Sequence, residues 1–172
     1  MSENTESRHG RFDLSGKVAV VTGVGGRERG IGETYARTLG EAGARVIVAD
    51  INGDGAARVA ESLTASGIEA QAVQTDITSR ESTQALAKSA QAAFGGVDIL
   101  VNNAALMVEL TGAEMQRVID CDRENWHRAM DVNVAGALHC SQAIVPLMRE
   151  RGGGKIVNQV SAGAYPAGTL YG

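Results

Sequence analysis

Positive charge is in short supply. Sixteen lysines and arginines stand against twenty aspartates and glutamates, giving a net charge of −4, and the basic residues form no cluster. That balance argues against nucleic acid or an anionic membrane surface as a partner. Long apolar runs are missing too: nothing approaches the roughly 20 residues of a membrane span. The opening Met1-Ser-Glu-Asn-Thr-Glu-Ser7 lacks the basic start and apolar core of a signal peptide. Of the metal-binding residues there are two cysteines, Cys121 and Cys140, and three histidines, His9, His127 and His139. Neither set forms a ligand cluster, so no metal is expected. The thiols read as buried or free groups in a reducing cytoplasm, and a cytoplasmic location is expected. Internal repeats, low-complexity tracts and interdomain linkers are absent. What remains is 172 residues, 44% of them hydrophobic although only 3% are aromatic, enough for one domain with a core.

Glycine, by contrast, is plentiful, and its placement organises the chain. Five of the 22 glycines, Gly23, Gly25, Gly26, Gly30 and Gly32, fall within ten residues. Before them Val18 to Val21 is a short β-branched run suited to a fully buried parallel strand. After them Ile31, Tyr35, Ala36, Leu39 and Ala42 recur at helical spacing. A glycine turn between strand and helix suits a pyrophosphate, because backbone N–H groups reach it with no Cβ in the way. The helix N-terminus adds unpaired donors and partial positive charge; Arg27 and Arg29 lie within the loop. A Walker-type phosphate loop is excluded, since Ile31 and Gly32 stand where Lys and Ser/Thr are required. The strict G-x-G-x-x-G spacing is not met either. Support comes from Asp50, which ends the next strand, Ala44 to Asp50. It lies about 20 residues past the turn, where a dinucleotide-binding fold hydrogen-bonds the adenosine ribose. The alternative is an acid that only closes a strand and opens the turn at Asn52-Gly53.

Residues 1–13 are polar and aperiodic and read as a flexible tail; residues 14–172 read as one domain. After Asp50, the loop Asn52-Gly-Asp-Gly55 leads into a second helix through Leu63, which Asp54 is placed to cap. A third strand spans 68–76, and a third helix is capped by Ser79 and ends near Phe94-Gly-Gly96. A fourth strand spans 97–103, and residues 105–121 read as loop with some helix. A long helix, 123 to about 151, carries a potential break, and a fifth strand spans 155–160. This alternation predicts an α/β fold with a doubly wound parallel sheet, the Rossmann fold, in strand order 3-2-1-4-5. The fifth strand would be left as an uncovered edge. The chain is therefore expected to be part of something longer, with its C-terminal strands missing.

Other residues stand where such sheets do chemistry. Asn102-Asn-Ala-Ala105 ends the fourth strand, at the carboxyl edge where ligands bind; a plain asparagine turn is the other reading. Asn133 lies inside an apolar helical stretch, where a buried amide must brace a neighbouring backbone or join a polar site. Ser161 follows the fifth strand. Tyr165 and Tyr171 are two of only three tyrosines.

On these residues the chain resembles a short-chain dehydrogenase/reductase. Thr22-Gly23 with Gly30-Ile-Gly32 resembles the family's T-G-x-x-x-G-x-G turn. Asp76 matches its acid after the third strand, and Asn102-Asn-Ala-Ala105 its N-N-A-G, with Ala for the last Gly. Asn133 and Ser161 match its helix asparagine and its serine, and Tyr171-Gly172 stands where Y-x-x-x-K would begin. The resemblance covers nearly all of residues 15–172. It implies an NAD(P)-dependent oxidoreductase moving a hydride between nicotinamide and a secondary alcohol or ketone. Tyr171 would be general acid/base, Ser161 would hydrogen-bond the reacting oxygen, and Asn133 would hold the helix backbone open for a relay water. The implied cofactor residues are Thr22, Gly23, Gly25, Arg29, Gly30, Ile31, Gly32, Asp50, Ile51, Asp76, Ile77, Asn103, Ala104 and Ala105. Asp50 favours NAD, whereas Arg29 pulls toward NADP. A small-molecule alcohol or carbonyl substrate and a homotetramer or homodimer are implied for the full-length protein.

Three departures stand out. Three extra residues separate Gly23 from Gly30. Ser161 and Tyr171 are closer together than is commonest in the family. The lysine implied at position 175 falls past Gly172. The alternative function is therefore a nucleotide-binding fragment or module without catalysis, and residues 1–172 alone are expected to be inactive.

Overall fold

The computed structural model describes residues 12–26, 30–106 and 122–161. Its centre is β1 (Val18–Thr22), five residues that are all buried. A strand covered on both faces needs apolar side chains on both, which is why Val-Ala-Val-Val shows no polar alternation. On one side β1 pairs with β2 (Arg45–Asp50) and on the other with β4 (Ile99–Asn102), so Val20 lies between Ile47 and Leu100. Outside these lie β3 (Ala70–Gln74), against β2, and β5 (Lys155–Asn158), against β4. All four pairings are parallel, and the order is β3-β2-β1-β4-β5, the doubly wound arrangement expected.

Alternate residues divide the core between the faces, as the two-residue period of a strand requires. Val20, Ile47 and Leu100 pack with Leu86, Ala90, Cys140 and Ile144 from α3 (Arg80–Phe94) and α5 (Gly136–Glu150). Val21, Val46, Val48 and Val101 pack with Ala36, Val59 and Leu63 from α1 (Ile31–Glu41) and α2 (Gly53–Ala65). With so few rings available, the largest fully buried side chains are Ile47, Leu63, Leu86, Leu100 and Ile144. Cys140 is 0% exposed, and burial pushes its thiol up to about 12. It is thus a core side chain and not a nucleophile at neutral pH.

Local capping differs from the sequence reading in one place. Asn52 caps α2, its Oδ1 accepting from the Gly55 N–H at 3.0 Å, while Asp54 falls in the first turn. Ser79 caps α3 as expected, accepting from Ser82 N–H. The long helix is broken. α4 (Arg123–Met130) passes through a π-helical turn, Asp131–Ala135, before α5.

At the amino-terminal edge of the sheet one carboxylate ties three segments together. Asp98, 6% exposed, accepts from the Val18 N–H at 2.9 Å and pairs with Arg151 Nε at 3.0 Å and Lys17 Nζ at 3.4 Å. Arg151 also donates to the carbonyls of Gly16 and Gly95. Burial opposes the charge on Asp98. The Arg151 and Val18 hydrogen bonds outweigh it, with the Arg151 and Lys17 charges, and hold the carboxyl below its ordinary value.

A pH dependence follows, with its sign. A depressed carboxyl pKa contributes stability above the unfolded value, near 4 for a free Asp, and loses it as pH falls through the folded value. Arg151→Ala leaves a buried carboxylate short of its best partner, with Val18 and Lys17 remaining, and should cost roughly 1–3 kcal/mol at pH 7. Chemical denaturation at pH 7 and again near pH 3 should show that cost shrinking at the lower pH. An equal cost at both pH values would mean that the ion pair is not the source.

Candidate functional site

The winding of the sheet reverses between β1 and β4, and the carboxyl ends of the strands diverge there into a crevice. Hydrogen bonds define its floor. Thr22, the one polar residue of β1, is 1% exposed, with its Oγ1 turned to β4. That hydroxyl accepts from the N–H groups of Asn103 and Ala104 at 3.2 and 3.1 Å, and it lies 3.4 Å from the Val101 carbonyl. Asn103 returns the contact, its Nδ2 donating to the carbonyls of Thr22 and Gly23, both at 2.9 Å. Gly23 needs to be glycine on two counts. Its φ is +72°, and a Cβ there would lie 2.5 Å from the Ala104 Cα. At Gly32 a Cβ would press on the Gly23 carbonyl and lie 2.7 Å from Asn103 Nδ2.

Above this floor is a cavity of about 920 Å³, within the size range of small-molecule and cofactor sites. Eleven residues singled out from the sequence line it: Gly23, Gly30, Ile31, Gly32, Asp50, Ile51, Asp76, Ile77, Asn103, Ala104 and Ala105. Ile31 and Ile51 are 59% and 65% exposed, so the cavity walls offer apolar surface to solvent. α1 begins at its rim. Its N-cap, Gly30, has no side chain with which to cap the first-turn N–H groups, and the partial positive charge of a helix N-terminus suits an anion.

The acids are held by backbone donors. Asp50, 8% exposed, accepts from Gly25 N–H at 2.7 Å through Oδ2 and from Asn52 N–H at 2.8 Å through Oδ1. Asp76 Oδ1 accepts from the N–H and the hydroxyl of Thr78 at 2.9 and 2.7 Å. Thr22 and Gly25 therefore stand behind the cavity wall, one bracing the floor and the other holding Asp50. The Gly25 N–H points to a carboxylate and is not available to a phosphate.

Asn133 sits in the π-helical turn and is exposed, contrary to the buried setting its apolar neighbours suggested. Its amide braces backbone, Oδ1 accepting from Leu106 N–H at 2.7 Å and Nδ2 donating to the Leu106 carbonyl at 3.2 Å. Leu106, Asp131 and Val132 line the cavity, so the brace joins the helix to its wall. The extra residue per turn of a π-helix is a feature often found at functional sites. Ser161 lies beyond β5, exposed, and is not among the cavity-lining residues. Arg29, Tyr165 and Tyr171 fall outside the described residues.

Some roles go beyond the sequence reading, which places Asn102 at the carboxyl edge but gives it no part of its own. Asn102, 6% exposed, donates to Asn158 Oδ1 at 2.8 Å and lies 3.4 Å from Ser141 Oγ, joining β4, β5 and α5. Asn102 is the last residue of β4 and Asn103 the first beyond it, so the two amides serve two places. Arg128, Thr75 and Gln159 also line the cavity, but nothing local distinguishes them from surface residues. Among the described residues no group of three or more His, Cys, Asp or Glu is placed to hold a metal.

Comparison with known proteins gives a consistent result. The family model described as short chain dehydrogenase matches residues 17–172. An uncharacterized oxidoreductase of Mycobacterium tuberculosis is 42% identical over 156 residues, 91% of this chain and 60% of that protein. One from Staphylococcus aureus is 37% identical over 152 residues, 88% of this chain and 61% of its own length. Among solved structures, a short-chain type dehydrogenase/reductase from Mycobacterium marinum superposes with a TM-score of 0.82 at 31% identity. That match covers 92% of this chain and 61% of the other. Hydroxysteroid dehydrogenase from Escherichia coli gives 0.72 at 40% identity, covering 84% and 55%. The chain thus spans about three-fifths of the length of these relatives.

The close approach at the cavity floor is testable. Gly32→Ala improves intrinsic helix propensity by about 1 kcal/mol, yet its methyl meets backbone and a pinned amide. A net destabilisation of roughly 1–3 kcal/mol is expected from the overpacking. Gly26→Ala, where a Cβ meets nothing within 4 Å, should stay within about 0.5 kcal/mol of the parent. Urea denaturation of the two variants checks the contrast.

Proposed function

Because the chain belongs to the short-chain dehydrogenase/reductase family, we propose that its cavity binds a nicotinamide dinucleotide, with NAD preferred to NADP. We propose further that the whole protein moves a hydride between that cofactor and a secondary alcohol or ketone. The observation that carries the reading is Asp50. It is a carboxylate at the carboxyl end of β2, beside the switch point, lining the cavity and fixed in orientation by two backbone N–H groups. A carboxylate held there accepts hydrogen bonds from a ribose diol and repels a 2′-phosphate. Displacing it to admit a phosphate would break both backbone bonds.

The other residues fit the same group. The uncapped first turn of α1 suits the pyrophosphate. Ile51 and Ile77 offer apolar surface to the adenine, with Asp76 beside them, while Ile31, Asn103, Ala104 and Ala105 line the way toward the nicotinamide. When bound, the nicotinamide supplies or accepts the hydride. The chain's own part is to orient the substrate and handle its proton. In this reading Tyr171 is the acid/base, Ser161 holds the reacting oxygen, and Asn133, bracing Leu106 across a π-helical turn, keeps the helix backbone open for a water. A free tyrosine titrates near 10 and needs adjacent positive charge to act near neutrality. A lysine four residues beyond Tyr171, with the nicotinamide, would provide it.

Oligomerisation belongs to the same proposal. Trp126, Met130, Val134 and Leu138 are 40–56% exposed along α4, the π-helical turn and α5, an apolar stripe suited to a homodimer or homotetramer contact. Among the described residues no helix is long and apolar enough to cross a membrane, and a small-molecule substrate met in the cytoplasm completes the reading.

Two outcomes are expected. Calorimetric titration should show NAD binding more tightly than NADP, with Asp50→Ala weakening NAD and narrowing the difference; tighter binding of NADP by the parent would contradict the assignment. In the whole protein, Tyr171→Phe should reduce turnover by about 10²-fold or more, the usual scale for a general acid/base, with little change in cofactor affinity. Loss on Tyr165→Phe instead would move the acid/base to Tyr165.

A further inference from the structure

The first half of the glycine loop is docked on the start of α2. Asn52 Nδ2 lies 3.3 Å from the Gly25 carbonyl and donates to it, while Asn52 Oδ1 caps the helix at Gly55. The Gly25 N–H meanwhile donates to Asp50. Both peptide groups of Gly25 are therefore held, one by the acid ending β2 and one by the amide two residues later. The backbones also touch. A Cβ on Gly25 would lie 2.7 Å from Ala56 N and 2.9 Å from the Asn52 carbonyl, and a Cβ on Gly55 would collide with the Gly25 carbonyl.

We infer that Asn52 is a positioning residue for cofactor binding, and that Asn52, Gly55 and Gly25 form a latch fixing Asp50 and the glycine loop in their binding geometry. The inference rests on the proposed dinucleotide site and adds a residue to it. Helix capping alone requires only an acceptor at position 52, which Ser, Thr or Asp would provide equally well. The amide does more, because its donor half reaches across to the loop. Glycine at position 55 is likewise not what a helix interior favours, since it costs about 1 kcal/mol relative to Ala; the Gly25 carbonyl occupies the space a methyl would need. The longer loop between Gly23 and Gly30 makes such an anchor necessary. Its first part is tethered to α2, so the extra residues need not disturb Asp50. Preorganisation of this kind raises affinity by removing the ordering cost at binding.

Two substitutions separate the latch from ordinary stability. Asn52→Ser keeps a neutral helix cap and loses the donor to Gly25. Gly55→Ala drives its methyl into the Gly25 carbonyl, an overpacking that outweighs the gain in helix propensity. Their effects on stability differ, small for the first and unfavourable for the second, yet both release the loop. Both variants should bind NAD about tenfold more weakly than the parent by calorimetry, with a thermal midpoint unchanged for Asn52→Ser and lowered for Gly55→Ala. The Gly25 amide proton, bonded to a carboxylate at 2.7 Å in the parent, should shift upfield in both variants without any cofactor present. Parent-like NAD binding in both, or an unmoved Gly25 amide signal, overturns the latch while leaving the dinucleotide site standing. A parent that binds no NAD overturns the site itself, and the role of the latch with it.

Discussion

Two carbonyls at the end of the central strand, those of Thr22 and Gly23, accept from one amide, Asn103 Nδ2. Everything at the carboxyl edge depends on that contact. It joins β1 to β4 where their connections lead away to opposite faces of the sheet, and it turns Gly23 into the positive-φ corner from which the glycine loop departs. Apolar packing alone could not set this geometry, because valines on a buried strand fix spacing but not the direction of peptide groups. Thr22, by hydrogen-bonding both N–H groups that follow β4, completes the arrangement with one buried hydroxyl.

From there the division of labour runs along the sheet axis. At the amino-terminal edge, Asp98, Arg151 and Lys17 join the strand starts to the end of α5 by ion pairs. At the carboxyl edge the carboxylates of Asp50 and Asp76 are held by backbone and hydroxyl donors, from their own turns and, for Asp50, from Gly25 as well. Both edges contain buried or half-buried acids, and those of the second line a cavity. In these surroundings a carboxylate rigidly solvated by N–H groups is preorganised to meet a polar ligand without moving.

Much of this was legible in the sequence, for reasons that can be stated residue by residue. The all-apolar β1, the alternation of strands and helices, and the acid at Asp50 are consequences of periodicity and of position along one chain. The helix cap at Asn52 was not legible, because Asn52-Gly-Asp-Gly55 offers two competent acceptors and the choice is made by the contact with Gly25, 27 residues away. The sequence reading allows for a break in the long helix, but the place and π-helical form of that break were not legible, for a similar reason. Nothing in Met130-Asp-Val-Asn-Val-Ala-Gly136 breaks a helix locally; one further residue is accommodated where Asn133 reaches Leu106. The cavity roles of Arg128 and Gln159 depend on which way an exposed face turns, and hydrophobic period carries no such information.

The most direct test of the account is a crystal structure of the chain with ADP-ribose, which presents the adenosine and pyrophosphate without the reacting ring. The account predicts the ribose hydroxyls within hydrogen-bond distance of the Asp50 carboxylate and the pyrophosphate against the first turn of α1. It predicts Gly25 unmoved between Asp50 and Asn52. A nucleotide seated elsewhere on the sheet, or a ribose turned away from Asp50, would contradict it.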